Sequence, residues 1–181
     1  MRSGADSGDV PAGGMVARDA VDAVASTRRP SSSSEQVLVD WLKSHLALES
    51  QLGHDGTTGW THRSVYSLVS AHGRWCTPAS LPPGVQAGDW RQCFANAAAT
   101  EREHPHFAYT EGFAIGSNPV PTAHAWCTDA NGHVIDPTWS DPGGNAYLGI
   151  VLPPSLRPRA PRNWGVLEAP QSLFPLLRNG L

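Results

Sequence analysis

The tightest constraint on this chain is a turn. Residues 121–139 read PTAHAWCTDANGHVIDPTW, in which AHAWCTD and HVIDPTW flank Ala130-Asn131-Gly132. Asn-Gly between short stretches with apolar alternation is a strong hairpin signal, because both residues accept the positive φ that tight β-turns require. The stretch also carries His124, Cys127, Asp129, His133 and Asp136, so the pairing register decides which of them share a face. A two-residue type I′ turn pairs Asp129 with Val134 and Cys127 with Asp136, and sends His124 and Asp136 to opposite faces. A three-residue loop, with Gly132 left-handed in a bulge, pairs Asp129 with His133 and Trp126 with Asp136. His124, Trp126 and Asp136 then share a face, with His124 and Asp136 diagonal neighbours at roughly 7 Å between backbones. Both loops suit the local sequence.

The rest of the chain supplies helices before strands. Residues 1–33 are rich in Gly, Ser, Ala, Asp and Arg and are expected to be a disordered leader, since they carry too little apolar surface to offset ordering entropy. Residues 34–181 form the expected single domain. Ser32-Ser-Ser-Glu35 fits a capping box, and Val37, Leu38, Trp41, Leu42, His45 and Leu46 recur at helical spacing before Gly53 stops the helix. A short helix carrying Val65, Leu68 and Val69 is expected from Thr61, ending before Gly73 and the Pro-rich loop TPASLPPG. In DWRQCFANAAATEREH, Asp89 as N-cap and Gln92 at N3 put Cys93 in the first turn of an Ala-rich helix. FAYTEGFAIG, the two arms of the hairpin and AYLGIVLP then read as strands, and QSLFPLLRNGL closes the chain with an apolar segment broken by Pro175. This order argues for an α+β domain with N-terminal helices and a cysteine-bearing helix on a small antiparallel sheet.

Composition excludes several partners. The 181 residues have a formal charge of −3, which gives no basic field for a nucleic acid, and their 40% apolar content suffices for one core. No apolar run approaches the roughly 18 residues of a membrane span, and the N-terminus lacks the apolar stretch of a signal peptide, so a cytoplasmic protein is expected. Three cysteines, Cys76, Cys93 and Cys127, are too few and odd in number for a disulfide scaffold and suit a reducing compartment.

Of the three thiols, Cys93 has the placement that activates. A helix first turn offers unpaired N–H groups and the positive end of the macrodipole, which favour a thiolate and an oxyanion formed at an attacked carbonyl. A cysteine nucleophile needs a base, and the base needs an acceptor on its other nitrogen. Cys93, His124 and Asp136 supply these three roles. Cys76, in a loop beside Pro78, and Cys127, mid-strand, read as packing residues. Asn96, three residues after Cys93 and on the same helical side, suits a hydrogen bond to the strand backbone or to substrate. Trp126 is expected to cover the His124–Asp136 pair, with Trp139 packed nearby. Glu111 reads as an outward-facing solvated charge in preference to a polar site residue, and His54, His62, His72, His104 and His106 as loop or surface residues.

The motifs QCFANA, YTEGFA, PTAHAW and VIDPTW together resemble the transglutaminase-like and papain-like cysteine hydrolase superfamily, including a group of actinobacterial and phage proteins with this set. The resemblance covers about residues 88–153. It implies a papain-like or transglutaminase-like core, no cofactor, and cleavage or transfer of an amide, isopeptide or ester through a thioester. It also implies a peptide, protein or small acyl substrate. Carried onto this chain, Cys93 matches the nucleophile, His124 the general base and acid, and Asp136 the orienting carboxylate. The papain pattern places a glutamine oxyanion donor before the cysteine; Gln86 and Gln92 are the candidates here, and neither spacing fits cleanly.

Two other readings compete. His124-x-x-Cys127 and His133-x-x-Asp136 offer four zinc-ligand types around one turn, but strand alternation points each pair to opposite faces. The second is an inactive relative that keeps the fold as a binding module, since fold alone does not fix activity.

Overall fold

Five strands build one antiparallel sheet in the order β1-β5-β2-β3-β4, where β1 is Arg74–Cys76, β2 Ala108–Ile115, β3 Thr122–Thr128, β4 Val134–Ile135 and β5 Ala146–Val151. The computed structural model describes residues 28–52, 56–139, 143–159 and 164–181. Most of the expected leader, residues 1–27, lies outside them, as do Gly53 and His54. Among the described residues four α-helices accompany the sheet: α1 Ser33–Leu52, α2 Val65–His72, α3 Cys93–Glu103 and α4 Pro175–Asn179. The α+β class expected from the element order is the observed one.

The sheet curls until its two edges meet. Just past β1, the Thr77 N–H donates to Gly132 O (2.9 Å) and the Val134 N–H donates to Thr77 O (2.9 Å), a parallel bridge that brings β1 beside β4. Curling gives the sheet two apolar faces rather than one wet and one dry, which is why its strands read as nearly continuous apolar runs. The concave face gathers Cys76, Ala114, Trp126, Val134 and Tyr147 into a small core. The convex face carries Tyr109, Phe113, Ala125, Cys127, Leu148 and Ile150 into a larger core with Leu38 and Leu42 of α1, Leu68 and Val69 of α2, and Ala97 and Ala98 of α3. Strand period alone assigns His124, Trp126 and Tyr147 to the concave face.

Local rules explain most element ends and correct several expectations. Ser32 caps α1, accepting the Glu35 N–H at 3.2 Å, yet the Glu35 carboxylate does not close a capping box. It is buried and accepts instead from the Arg28 guanidinium (2.6 and 2.9 Å) and from the Ser31 N–H (2.5 Å) and hydroxyl (2.9 Å). The buried stripe of α1 is Glu35, Leu38, Val39, Leu42 and Leu46, so Val37 faces out, against the expectation from spacing. Helix α2 begins at Val65 rather than Thr61, because Ser64 and Ser67 form a reciprocal capping box. The N-cap of α3 is Gln92, and Cys93 is the first helical residue; Asp89 ends a turn earlier, its carbonyl accepting the Gln92 N–H at 3.3 Å. Strand β1 is not visible in the sequence, since three residues give too little periodicity to see. Among the described residues, no helix is long and apolar enough to cross a membrane.

Candidate active site

The hairpin resolves the register question. Cys127 pairs with Ile135 and Thr128 with Val134, the register of the three-residue loop. Within it the Gly132 N–H donates to Asp129 O and the Asp129 N–H to His133 O, both at 3.1 Å, with Gly132 at φ +80°. Continuing this register places Asp136 opposite Trp126, one diagonal step from His124, and the side chains close the gap. His124 Nε2 and Asp136 Oδ2 are 2.8 Å apart, with only 2% and 3% of the two side chains exposed.

Asp136 is held from every side. Its Oδ2 also accepts the Tyr147 hydroxyl at 2.7 Å, and its Oδ1 accepts the N–H groups of Thr138 (2.9 Å) and Trp139 (3.1 Å). The Tyr147 oxygen in turn accepts the Gly144 N–H at 2.9 Å, which orients its own proton toward the carboxylate. Burial raises a carboxyl pKa, but these donors and His124 outweigh it and hold Asp136 below its usual range. For His124, burial disfavours the charged imidazolium; hydrogen bonds and charge from Asp136 and Cys93 reverse this and push its pKa up to about 9. The same contacts favour the charged form of the imidazole. Trp139 stacks on it at 3.8 Å between centroids and 11° between planes, shielding the pair from water. Trp126 stands farther back at 6.1 Å, fully buried, so it supports the site as core.

Cys93 completes the group from α3. The Asn96 N–H donates to Gln92 O at 2.8 Å as the first bond of the helix, which leaves the N–H groups of Cys93, Phe94 and Ala95 outside its ladder. The thiol is partly exposed and acts on His124 both as a hydrogen-bond partner and as a charge. With Nε2 taken by Asp136, Nδ1 is the ring nitrogen left for the sulfur. The helix enters from a strained bend, as Arg91 sits at φ +65° with its guanidinium 4.0 Å above the Trp90 ring. The other thiols differ in kind. Burial pushes Cys76 up to about 11 and Cys127 up to about 12, and the Cys127 thiol donates to Ala97 O.

The remaining candidates divide. Asn96 is a brace: its Nδ2 donates to Asp89 O (2.7 Å) and to Thr138 Oγ1 (2.9 Å), tying the loop before Cys93 to the loop after Asp136. The Gly88 N–H adds a bond to Pro137 O at 2.8 Å, and a Cβ at Gly88 would lie 2.4 Å from the Asn96 side chain. Gln86 is exposed and Gln92 half-buried. Gln92 contributes as the residue before the helix, with no side-chain cap bond. The zinc arrangement does not assemble: His124 faces the concave side, Cys127 faces Ala97 on the convex side, and His133 pairs with Asp129 at 2.9 Å on the surface.

Glu111 overturns its expectation as a solvated charge. It is 2% exposed, on the convex face, and accepts the Tyr109 hydroxyl (2.6 Å) and the N–H groups of Val166 (2.7 Å) and Leu167 (3.0 Å). It thereby holds the C-terminal segment across the sheet. Between that segment, α2 and the start of β3 lies a cavity of about 250 Å³ that reaches His124 and Phe94. Sequence reasoning missed Tyr147, placed a site role for Glu111 second to a solvated one, and gave Trp139 only a packing role. Strand parity alone could have put Tyr147 on the concave face, but nothing local marks its partner.

Compared with protein-family models, with curated proteins and with solved structures, the chain gives no significant match.

Proposed function

We propose that this protein is a cysteine-dependent hydrolase or acyltransferase with a papain-like or transglutaminase-like core, acting on an amide, isopeptide or ester through a thioester. The observation that carries the reading is the buried His124–Asp136 hydrogen bond of 2.8 Å, with Cys93 at the start of α3 acting on the same imidazole. The motif order Cys, His, Asp of the resembled superfamily supports it independently of the geometry. In this reading the Cys93 sulfur, paired with the His124 imidazole, attacks the carbonyl carbon as a thiolate, its proton held by the ring. The N–H groups at the start of α3 favour the developing oxyanion. His124 then protonates the leaving amine or alcohol, and afterwards takes a proton from the water or amine that resolves the thioester. Asp136 stays ionised, fixes the ring orientation and keeps the imidazolium favourable. Tyr147 and the backbone donors of Thr138 and Trp139 keep Asp136 in place.

Selective alkylation tests this. At pH 7 iodoacetamide is expected to modify Cys93 far faster than Cys76 and Cys127. With thiols pushed to about 11 and about 12, the latter two hold on the order of one part in ten thousand or less as thiolate. Peptide mapping of the labelled native protein reads the result. Equal or absent labelling of Cys93 would remove the activated thiol and leave the interaction-scaffold reading.

A further inference from the structure

We propose that the cavity beside His124 is the acyl-group pocket of this site and selects a bulky, uncharged aromatic or aliphatic acyl group over a small or anionic one. The inference rests on the thiol reading above and deepens it to a substrate class. Four observations point the same way. First, position: His124 and Phe94, the residue after the nucleophile, both line the cavity, which puts it against both elements that carry the proposed Cys93–His124 pair. Second, size: about 250 Å³ lies below the roughly 300–1,000 Å³ of pockets that enclose whole ligands, and suits one large side chain or aryl group.

Third, the walls are rings that hold one another in place. Tyr66 stacks on Phe113 at 5.3 Å and 7°, and Trp41 packs edge-on against Phe113 at 4.9 Å, so the lining is set before any ligand arrives. The opposite wall, Trp164 to Leu167, is drawn close by Glu111. At Gly165 an added Cβ would meet Glu111 Oε2 at 2.7 Å and Phe94 Cε1 at 2.9 Å. Fourth, charge: the described lining includes Glu111 and Glu168, with His124, already paired with Asp136, as its one basic group, which disfavours an anionic acyl group.

The test uses the full chain and three p-nitrophenyl esters: acetate, 3-phenylpropionate and hemisuccinate. In the first step the Cys93 thiolate attacks the ester carbonyl and the C–S bond forms. The C–O bond breaks, p-nitrophenolate leaves with its electron pair, and the imidazolium releases its proton to solvent. In the second, His124 takes a proton from water as the new C–O bond forms. The C–S bond breaks, returning the thiolate and releasing the carboxylic acid. Nitrophenolate absorbance gives kcat/KM and intact mass gives the acyl adduct on Cys93. The phenylpropionyl ester is expected to exceed the acetyl ester by about tenfold or more in kcat/KM, with the succinyl ester lowest.

Ala123 is exposed and lines the pocket, so Ala123→Phe fills it from the open side; Trp164→Ala removes an exposed wall. Either change is expected to bring the phenylpropionyl-to-acetyl ratio toward one, and circular dichroism confirms which variants fold. A wild-type ratio at or below one, or a ratio unchanged in the folded variants, overturns the pocket while leaving the thiol reading intact. Failure of all three esters to acylate Cys93 overturns the thiol reading, and the pocket with it.

Discussion

At the scale of single residues, the site is a problem of keeping charge where burial opposes it. His124 and Asp136 are almost wholly enclosed, and each favours the charged form of the other. The signs give a defined pH window. The His124 pKa is raised in the folded state, so its stabilisation is full below about 6.5 and is lost as pH rises through about 9. The Asp136 pKa is lowered, so its contribution is full above about 3.9 and is lost on acidification. Asp136→Asn should therefore destabilise most between about pH 4 and 6.5, by on the order of 2 kcal/mol, with the gap narrowing as pH rises through about 9 and His124 loses its proton. Urea denaturation of both proteins across pH measures it. Reactivity has its own profile. His124→Gln should slow alkylation of Cys93 at pH 7 by roughly tenfold or more. The difference should close as pH rises through about 9, where the wild-type imidazole loses its proton too. Stopped labelling followed by mass analysis, across neutral to alkaline pH, reads the two curves.

At the scale of elements, the hairpin loop decides whether His124 and Asp136 meet. Ala130-Asn131-Gly132 acts as a three-residue loop with its glycine at φ +80°. A one-residue change of register turns every side chain on the returning arm to the other face. Deleting His133 while Ala130-Asn131-Gly132 keeps its three-residue loop would pair Cys127 with Asp136 and so turn Asp136 away from His124. The deletion is expected to abolish preferential labelling of Cys93 while leaving a folded β-protein by circular dichroism. Retained preference in a folded deletion variant would separate the pair from the register. The alternation of AHAWCTD and HVIDPTW marks this hairpin in the sequence, but leaves its loop length open because both turns satisfy the same residues. Helix α3 is legible as well, with its cap misplaced. Asp89 looks like an N-cap by residue type, whereas the Arg91 bend moves the helix start to Cys93. That shift puts the sulfur at the first helical residue, where the macrodipole acts most directly.

At the scale of the whole molecule, the curled sheet carries the concave site, and buried polar anchors tie distant segments to it. Tyr147 reaches from β5 to Asp136, Asn96 from α3 to Thr138, and Glu111 from β2 to Val166 and Leu167. Replacing Glu111 with Ala strips acceptors from two backbone N–H groups, an expected loss of about 1–3 kcal/mol. Amide exchange at Val166 and Leu167 should quicken well beyond that of Ala125 and Cys127 in the core; unchanged protection there would mean the segment is held by other contacts. By itself the sequence determined the short-range features: the helix stripes, the strand period, the Asn-Gly turn, and the order of Cys93, His124 and Asp136. Local sterics, hydrogen-bond spacing and apolar periodicity act over a few residues, so they can be read from a few residues. Only the tertiary structure decided the hairpin register, the burial of Glu111, the tie from Tyr147 to Asp136 and the cavity beside His124. Each of these depends on which segments distant along the chain become neighbours, and curling the sheet supplied those neighbours.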